Sequence, residues 1–383
     1  MAVMVGVPKE TYPGEHRVAL TPKSCEVLRK AGVEVMIESG AGLAAGYLDQ
    51  QYLDRGATVG PRSDTLAQAS IVAQVRALGA NPDLGRADLP LLHAGQTIIG
   101  FGEPLTAFAE NKALADHGLN FLAMELVPRI TRAQSMDALS SMATIAGYYA
   151  VLQAALTLPK MFPMMMTAAG TITPAKVLVL GAGVAGLQAI ATARRLGAVV
   201  SGYDVRSAVK EQIESLGAKF VVLDIESGDA QDKGGYAKAL GEDFYRRQRE
   251  LLTEVIREQD VLITTAAIPG KKAPILVTTA MAEAMAPGSV IVDIAAERGG
   301  NCALTRAAET VMHNGISILG PVNIAAKLPR DASQLYSANV ASFLKHLIKN
   351  GALTLDTADE IVRETLVTHD RQIVNARVRE LVQ

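Results

Sequence analysis

Residues 176–190 read KVLVLGAGVAGLQAI and place Gly181, Gly183 and Gly186 in a GxGxxG pattern. The apolar run before the glycines and the helical pattern after them predict a strand, a tight turn and a helix. In such a turn Gly181 permits the sharp reversal, Gly183 lets a pyrophosphate approach the backbone, and Gly186 allows close helix–strand packing. The helix from Val184 would present free N–H groups and its positive dipole end to the phosphates. Asp204 lies 18 residues after Gly186, at the end of the next predicted strand. A carboxylate there accepts hydrogen bonds from the adenosine ribose and repels a 2′-phosphate, which favours NAD(H) over NADP(H). Arg206, two residues on, weakens the preference, because arginine can serve that phosphate. The plainer alternative is a glycine turn that holds no cofactor.

A second polar group, Arg129, Gln134, Asp137 and Ser140, lies in ELVPRITRAQSMDALS (125–140). This reads as a loop feeding a helix, with Gln134, Asp137 and Ser140 three apart on neighbouring parts of the first turns. An amide, a carboxylate and a hydroxyl can orient a carboxamide but are poor proton shuttles. Capping of the helix N-terminus explains the same residues without chemistry. A dehydrogenase that moves a proton with its hydride usually carries a His, Lys or Asp acid–base group. The histidines are poor candidates: His16 and His93 precede strand or loop positions, His117 ends a helix, and His313, His346 and His369 fall in expected helices. They also lack ligand spacing, so no metal site is expected.

Alternating short apolar runs and helical patterns predict parallel α/β structure. In the first third, VMVGV, VEVMIE, SIVAQV, QTIIGF and NFLAME are expected strands of one open sheet, with a helix opened by Thr21-Pro22, a capping residue followed by proline. A long helix is expected from Gln134 to about Leu158. Strands at 176–180, 198–203, 219–223, 260–265, 289–294 and 316–320 then build a dinucleotide-binding fold. After Asn323 the pattern turns helical, with a second long helix from Ser333 to Lys349 returning the chain to the first domain. The expected organisation is therefore two Rossmann-like α/β domains with parallel sheets, joined by long helices. Residues 1–135 plus about 330–383 form a discontinuous N-terminal domain, and 136–329 form the nucleotide-binding domain. The polar stretch 224–240, DIESGDAQDKGGYAKAL, exceeds the usual connection of about 2–6 residues. It reads as a lid beside the crevice or as a solvated insertion.

The 383 residues, 49% hydrophobic and with a net charge of −2, suffice for two full cores and leave no basic footprint for nucleic acid. Two distant cysteines, Cys25 and Cys302, suit a reducing compartment and make no disulfide framework. The N-terminus, MAVMVGVPKE, reads as too short in its apolar part for a signal peptide and quickly becomes charged. The most apolar region, roughly 140–200, is broken by Pro163, Gly170, Pro174, Gly181, Gly183 and Gly186. No unbroken membrane-crossing helix of about 20 residues is expected there, and the chain reads as soluble and cytoplasmic.

Taken together, PRITRAQSMDALSS, PMMMTAAGTITPAKVLVLGAGVAGLQAIATARRLGA, YDVR (203–206), GGYAKAL (234–240), ITTAAIPGKKAPIL (263–276) and DIAAERGGNCALT (293–305) resemble the NAD(H)-binding component of the proton-translocating transhydrogenase family. The resemblance begins at VPKETYPGEHRVALTP (7–22) and covers nearly the whole chain. It implies that Arg129, Gln134, Asp137 and Ser140 surround the nicotinamide end of the cofactor, with Tyr236 closing over the nucleotide. It also implies that Val184, Asp204, Val205, Arg206, Gly235, Gln248 and Ala267 complete the nucleotide contacts. The implied activity is Re/Si-specific, proton-translocating hydride transfer between NAD(H) here and NADP(H) on a partner. Membrane-spanning and NADP(H)-binding components would be the partners, the chain would dimerise, and it would sit on the inner membrane face through those partners. PVNIAAKLPRD (321–331) and the C-terminal tail match loosely and receive no role.

The nearest rival, alanine dehydrogenase, shares the VPKE…RVALTP pattern but needs a lysine and a histidine for oxo-acid chemistry. Here SIVAQVRALG carries Gln74 and Arg76, and GQTIIGFGEP ends without histidine. A non-catalytic NAD-sensing module explains the glycines but not the Arg129–Ser140 group. Direct transfer between two nicotinamide rings moves no substrate proton, which accounts for the missing acid–base residue. Catalysis would then rest on holding the rings about 3–3.5 Å apart and excluding water.

Overall fold

The structure, a computed structural model, describes residues 3–223, 242–267 and 270–382. The chain divides into two compact units, Met1–Met142 with Ala325–Gln383, and Ala143–Ile324. Each is built on one mainly parallel sheet.

In the first unit the five apolar runs form strands Met4–Val7, Glu34–Glu38, Ile71–Arg76, Thr97–Phe101 and Asn120–Ala123. All five are parallel to one another, with Met4–Val7 between Glu34–Glu38 and Ile71–Arg76. Because the sheet is covered on both faces, its strands are continuous apolar runs rather than alternating ones. Three further strands complete it. Thr58–Gly60 adds one edge. Leu366–His369 adds the other, antiparallel to Asn120–Ala123, and Gln372–Ile373 folds back antiparallel to it as the outermost strand.

That last hairpin corrects the helical reading of the C-terminal stretch, and with it the placing of His369, which ends a strand. Leu366 and Thr368 lie opposite Leu122 and Phe121, and the Thr368 hydroxyl donates to Leu119 O at 2.8 Å. Asp370 and Arg371, at φ 46° and 61°, make the two-residue turn. Pairing with a strand far away in sequence overrides local propensity. The helix expected from Ser333 runs Pro329–Leu347. Thr21 does precede the helix Pro22–Lys30, but its side chain does not cap it. Thr21 N–H donates to Ser337 Oγ at 2.8 Å, and the two hydroxyls lie 3.3 Å apart.

The second unit orders its strands Lys219–Phe220, Val199–Tyr203, Lys176–Leu180, Val261–Thr264, Val290–Asp293, Ile316–Leu319 and Thr310–His313. The first six are parallel and correspond to the six expected strands, the third cut short after Phe220. The seventh is antiparallel. It forms a hairpin through Asn314 and Gly315, at φ 48° and 78°, so His313 lies in a strand and not in a helix. Along the central strand Val177 and Val179 pack into one apolar layer, and Leu178 and Leu180 into the other. That alternation over two buried faces is why KVLVL is apolar throughout.

The helix Ala138–Thr157 is unbroken for 20 residues and has a mean hydropathy of 1.2 over its most apolar window. By length and composition it could cross a membrane, which corrects the expectation for that region: Pro163 and the other breaking residues named for it all lie beyond the helix end. A core helix of a soluble protein can be as long and as apolar. Ala150, Val151 and Ala154 belong to the core of the second unit.

Candidate functional site

The central strand Lys176–Leu180 has a neighbour on each side, Val199–Tyr203 and Val261–Thr264, whose connections diverge from it. A crevice forms beyond the strand ends at such a reversal of order. The chain leaves Leu180 through Gly181, at φ +98°, and enters the helix Val184–Arg195. Gly181 N–H donates to Tyr203 O at 2.8 Å, and Thr265 Oγ donates to Gly181 O at 3.1 Å. A side chain at Gly186 would place Cβ 1.8 Å from Gly181 O, so this glycine is needed for the helix to pass the turn. At Gly183 nothing lies within 4 Å of where Cβ would stand. That position is exposed, and its space fits a pyrophosphate laid against the backbone. The residues therefore fit a dinucleotide. Val184, the first helical residue, is also exposed.

Asp204 lies at the end of the strand Val199–Tyr203 and is nearly buried. Its Oδ2 accepts Ala182 N–H at 2.7 Å and Arg206 Nη2 at 2.8 Å. Its Oδ1 accepts Arg206 N–H and Nε, both at 2.9 Å. The carboxylate thus ties the glycine turn to the next strand end, and Arg206 forks across both oxygens. Val205, between them, is half-buried. Gln248, on the helix Glu242–Arg257, is buried and donates its amide to the Tyr203 hydroxyl at 2.8 Å. Burial pushes that phenol's pKa up, while the Gln248 bond works the other way. Ala267 is exposed beside the crevice strand. Tyr236, Gly235 and the stretch 224–240 lie outside the described residues.

Three residues of this unit carry no obvious motif but build its floor. Asp293, fully buried, accepts Ala295 N–H, Asn301 N–H, Cys302 N–H and the Thr305 hydroxyl. Asn301 then clamps Ala266 through both backbone groups, at 3.0 and 2.8 Å, and also donates to Pro274 O. Thr265 locks Gly181 as above. A polar residue at each strand end is the only trace they leave in the sequence.

The Arg129–Ser140 group belongs to the first unit. Thr131–Met136 forms a 3-10 turn, and Asp137 breaks from it at ψ 86° before the helix starts at Ala138. Gln134, Asp137 and Ser140 therefore do not share one helical face as their spacing suggested, because two different helical geometries meet at Asp137. Arg129 and Gln134 are exposed; Asp137 and Ser140 are half-buried. Asp137 Oδ1 accepts Ser140 N–H at 2.9 Å and Oδ2 accepts the Ser140 hydroxyl at 2.6 Å. Asp137 is a helix cap. The loop is braced by the C-terminal segment: Asn339 donates to Ser135 O at 2.9 Å, and Arg132 forks onto Asp359 at 2.8 and 3.3 Å.

The same unit holds a buried charge cluster. Arg17 forks onto Glu15 at 2.7 and 2.6 Å, and Arg76 Nε donates to Glu15 at 3.0 Å while its guanidinium covers the Tyr12 ring. Burial opposes ionisation of Glu15, yet the two arginines hold its pKa down at about 2. Glu10, bonded by Val75 and Arg76 N–H, is pushed up to about 8 by burial and by the Glu15 charge. Burial likewise raises Glu125 to about 7.

Residues 6–146 and 150–376 match the family models described as alanine dehydrogenase/PNT, N-terminal and C-terminal domains. The chain is 45% identical over 375 residues to an NAD(P) transhydrogenase alpha-subunit chain of Rhodospirillum rubrum, covering 97% of each. It is similar to the crystal structure of the transhydrogenase from Sinorhizobium meliloti, with a TM-score of 0.86, 44% identity, and coverage of 97% and 100%. An L-alanine dehydrogenase structure is similar with a TM-score of 0.83 and 27% identity, covering 99% of both chains.

Proposed function

Because the chain belongs to the alanine dehydrogenase/PNT family, we propose that it is the NAD(H)-binding component of a proton-translocating NAD(P) transhydrogenase. The observation that carries this reading is 45% identity along 97% of both chains to a relative named for that subunit, against 27% to the dehydrogenase structure. Hydride would pass between NAD(H) on this chain and NADP(H) on a partner subunit, with proton movement in membrane-spanning partners. The chain would be cytoplasmic and held at the membrane by them.

Bound NAD(H) supplies the carbon that gives or takes the hydride. This chain's residues bind and orient it. The backbone at Gly183 and the first turn of the helix from Val184 receive the pyrophosphate, and Asp204 receives the adenosine ribose. Val205, Gln248 and Ala267 would shape the surrounding wall, and the family resemblance adds nucleotide contacts from Gly235 and Tyr236. Gln134 and Arg129 orient the nicotinamide carboxamide, and Asp137 with Ser140 fixes the helix after them. No proton needs to move, so pre-set geometry carries the rate.

A 2-oxo acid dehydrogenase needs a cationic group open to a substrate carboxylate. The sequence carries Gln74 and Arg76 where that rival's lysine is expected, which supports the transhydrogenase reading. The deciding experiment mixes the chain with the NADP(H)-binding component and follows hydride exchange. Reduction of NAD+ by L-alanine would establish the rival instead, and neither activity would leave a sensor.

A further inference from the structure

We propose that Arg206 is an internal competitor for the adenosine ribose and thereby sets the nucleotide preference of this chain. The proposal rests on the NAD(H)-binding reading above and deepens it. A carboxylate offers about four acceptor positions on its two oxygens. All four on Asp204 are taken, two by the backbone N–H groups of Ala182 and Arg206 and two by the Arg206 guanidinium. One backbone donor, Ala182 N–H, belongs to the glycine turn and the other, Arg206 N–H, to the loop that follows Asp204, and neither can leave without moving the main chain. Nε and Nη2 sit on a side chain that can rotate away, and its 14% exposure gives it a path to solvent. The two hydroxyls of a ribose match those two positions in number and in donor character.

Ribose capture is therefore an exchange rather than an addition. The bidentate ion pair is lost, and two bonds from neutral hydroxyl donors to the carboxylate take its place. The exchange lowers NADH affinity below what a free carboxylate would give. It also leaves a released guanidinium beside the 2′ position, where it attracts the phosphate that distinguishes NADPH. Arg206 thus narrows, from both sides, a preference that Asp204 alone would make wide.

Equilibrium titration of NADH and NADPH on the whole chain tests this, with the parent, Arg206→Gln, Arg206→Lys and Arg206→Ala compared. With the fork removed, NADH should bind more tightly and NADPH more weakly. The NADH-to-NADPH affinity ratio should widen by roughly tenfold or more in Arg206→Gln and Arg206→Ala, the scale of one charge-assisted bond. Arg206→Lys, a cation without the fork, should bind NADH more tightly than the parent does and NADPH more tightly than Arg206→Gln does. Thermal melting identifies any variant that fails to fold, and the glutamine variant, shorter and uncharged, keeps an amide donor. Weaker binding of both nucleotides by folded variants, or an unchanged ratio, overturns the proposal while leaving the NAD(H) reading intact. A parent chain that binds neither nucleotide overturns both.

Discussion

Asp137 and Ser140 are joined twice, by backbone N–H to Oδ1 at 2.9 Å and by hydroxyl to Oδ2 at 2.6 Å. Both oxygens of the carboxylate serve the start of the long helix. Asp137→Ala should therefore lower stability by about 1 kcal/mol, the usual worth of such a cap. Hydride transfer per folded molecule should stay near that of the parent. A thermal melt alongside single-turnover transfer checks both, and loss of transfer without loss of stability would return Asp137 to the chemistry.

Gln134 gives the opposite expectation, because its side chain is exposed and caps nothing. Gln134→Asn should leave the melting temperature unchanged and weaken NADH binding only modestly. Transfer in the reconstituted complex should fall by roughly a hundredfold, the cost of about 1 Å of ring misplacement. Normal transfer would remove this loop from the active site.

Gly183 and Gly186 should separate cleanly. Gly183→Ala meets no neighbour, so stability should change by less than about 0.5 kcal/mol while NADH affinity drops. Gly186→Ala drives a methyl into Gly181 O and should cost about 1–3 kcal/mol or more. Equal effects on stability would contradict the division of labour between turn and ligand surface.

Glu10 stays protonated in the folded protein to about pH 8, against an ordinary 4.5. Between those values the folded state binds more protons than the unfolded chain, so stability falls as pH rises through the window. Glu10→Gln carries no such proton and should flatten the decline, by an amount on the order of a few kcal/mol across it. Its amide facing Arg76 N–H adds a constant offset, so the slope is the readout. Identical slopes between about pH 5 and pH 8 would show that Glu10 does not titrate there.

The family resemblance implies a dimer, and the hairpin Met165–Thr167 with Gly170–Ile172 carries exposed apolar side chains that could serve it. Met166 is 73% exposed, and Met164 is 59% exposed. Such a cluster marks an interaction surface more often than bare solvent contact. Met166→Asp should shift the sedimentation profile towards monomer at the same concentration. An unchanged dimer would place the interface elsewhere.

Much of this architecture is readable in the residues because buried parallel strands announce themselves. KVLVL and TIIGF are apolar on both faces and bounded by turns, and the glycine pattern fixes the turn and helix after the first of them. Edge strands are less visible. Thr58–Gly60 is three residues long, and Leu366–His369 is a strand because Leu122 and Phe121 lie opposite it. His313-Asn314-Gly315-Ile316 does hold a hairpin signal, an Asn-Gly pair between β-formers, which a helical reading of His313 overlooks. In the site, Asp204 is legible from its distance to the glycines. Its union with Arg206, and the clamps made by Thr265 and Asn301, depend on loop directions that no spacing encodes. The 3-10 turn ending at Asp137 likewise breaks a three-residue rhythm that looks helical.

The antiparallel edge formed by Leu366–His369 also bears on how the molecule is made. Its hydroxyl bond from Thr368 reaches back 249 residues to Leu119. On a ribosome adding 5–20 residues per second, roughly 12–50 s separate the emergence of these partners. Throughout that interval the strand Asn120–Ala123 has an unpaired flank, although the rest of its parallel neighbours are already synthesised. The nascent first unit is thus open to strand addition by another chain until its own late segment arrives. The vulnerable period is set by the length of the inserted second unit, not by the stability of the finished sheet.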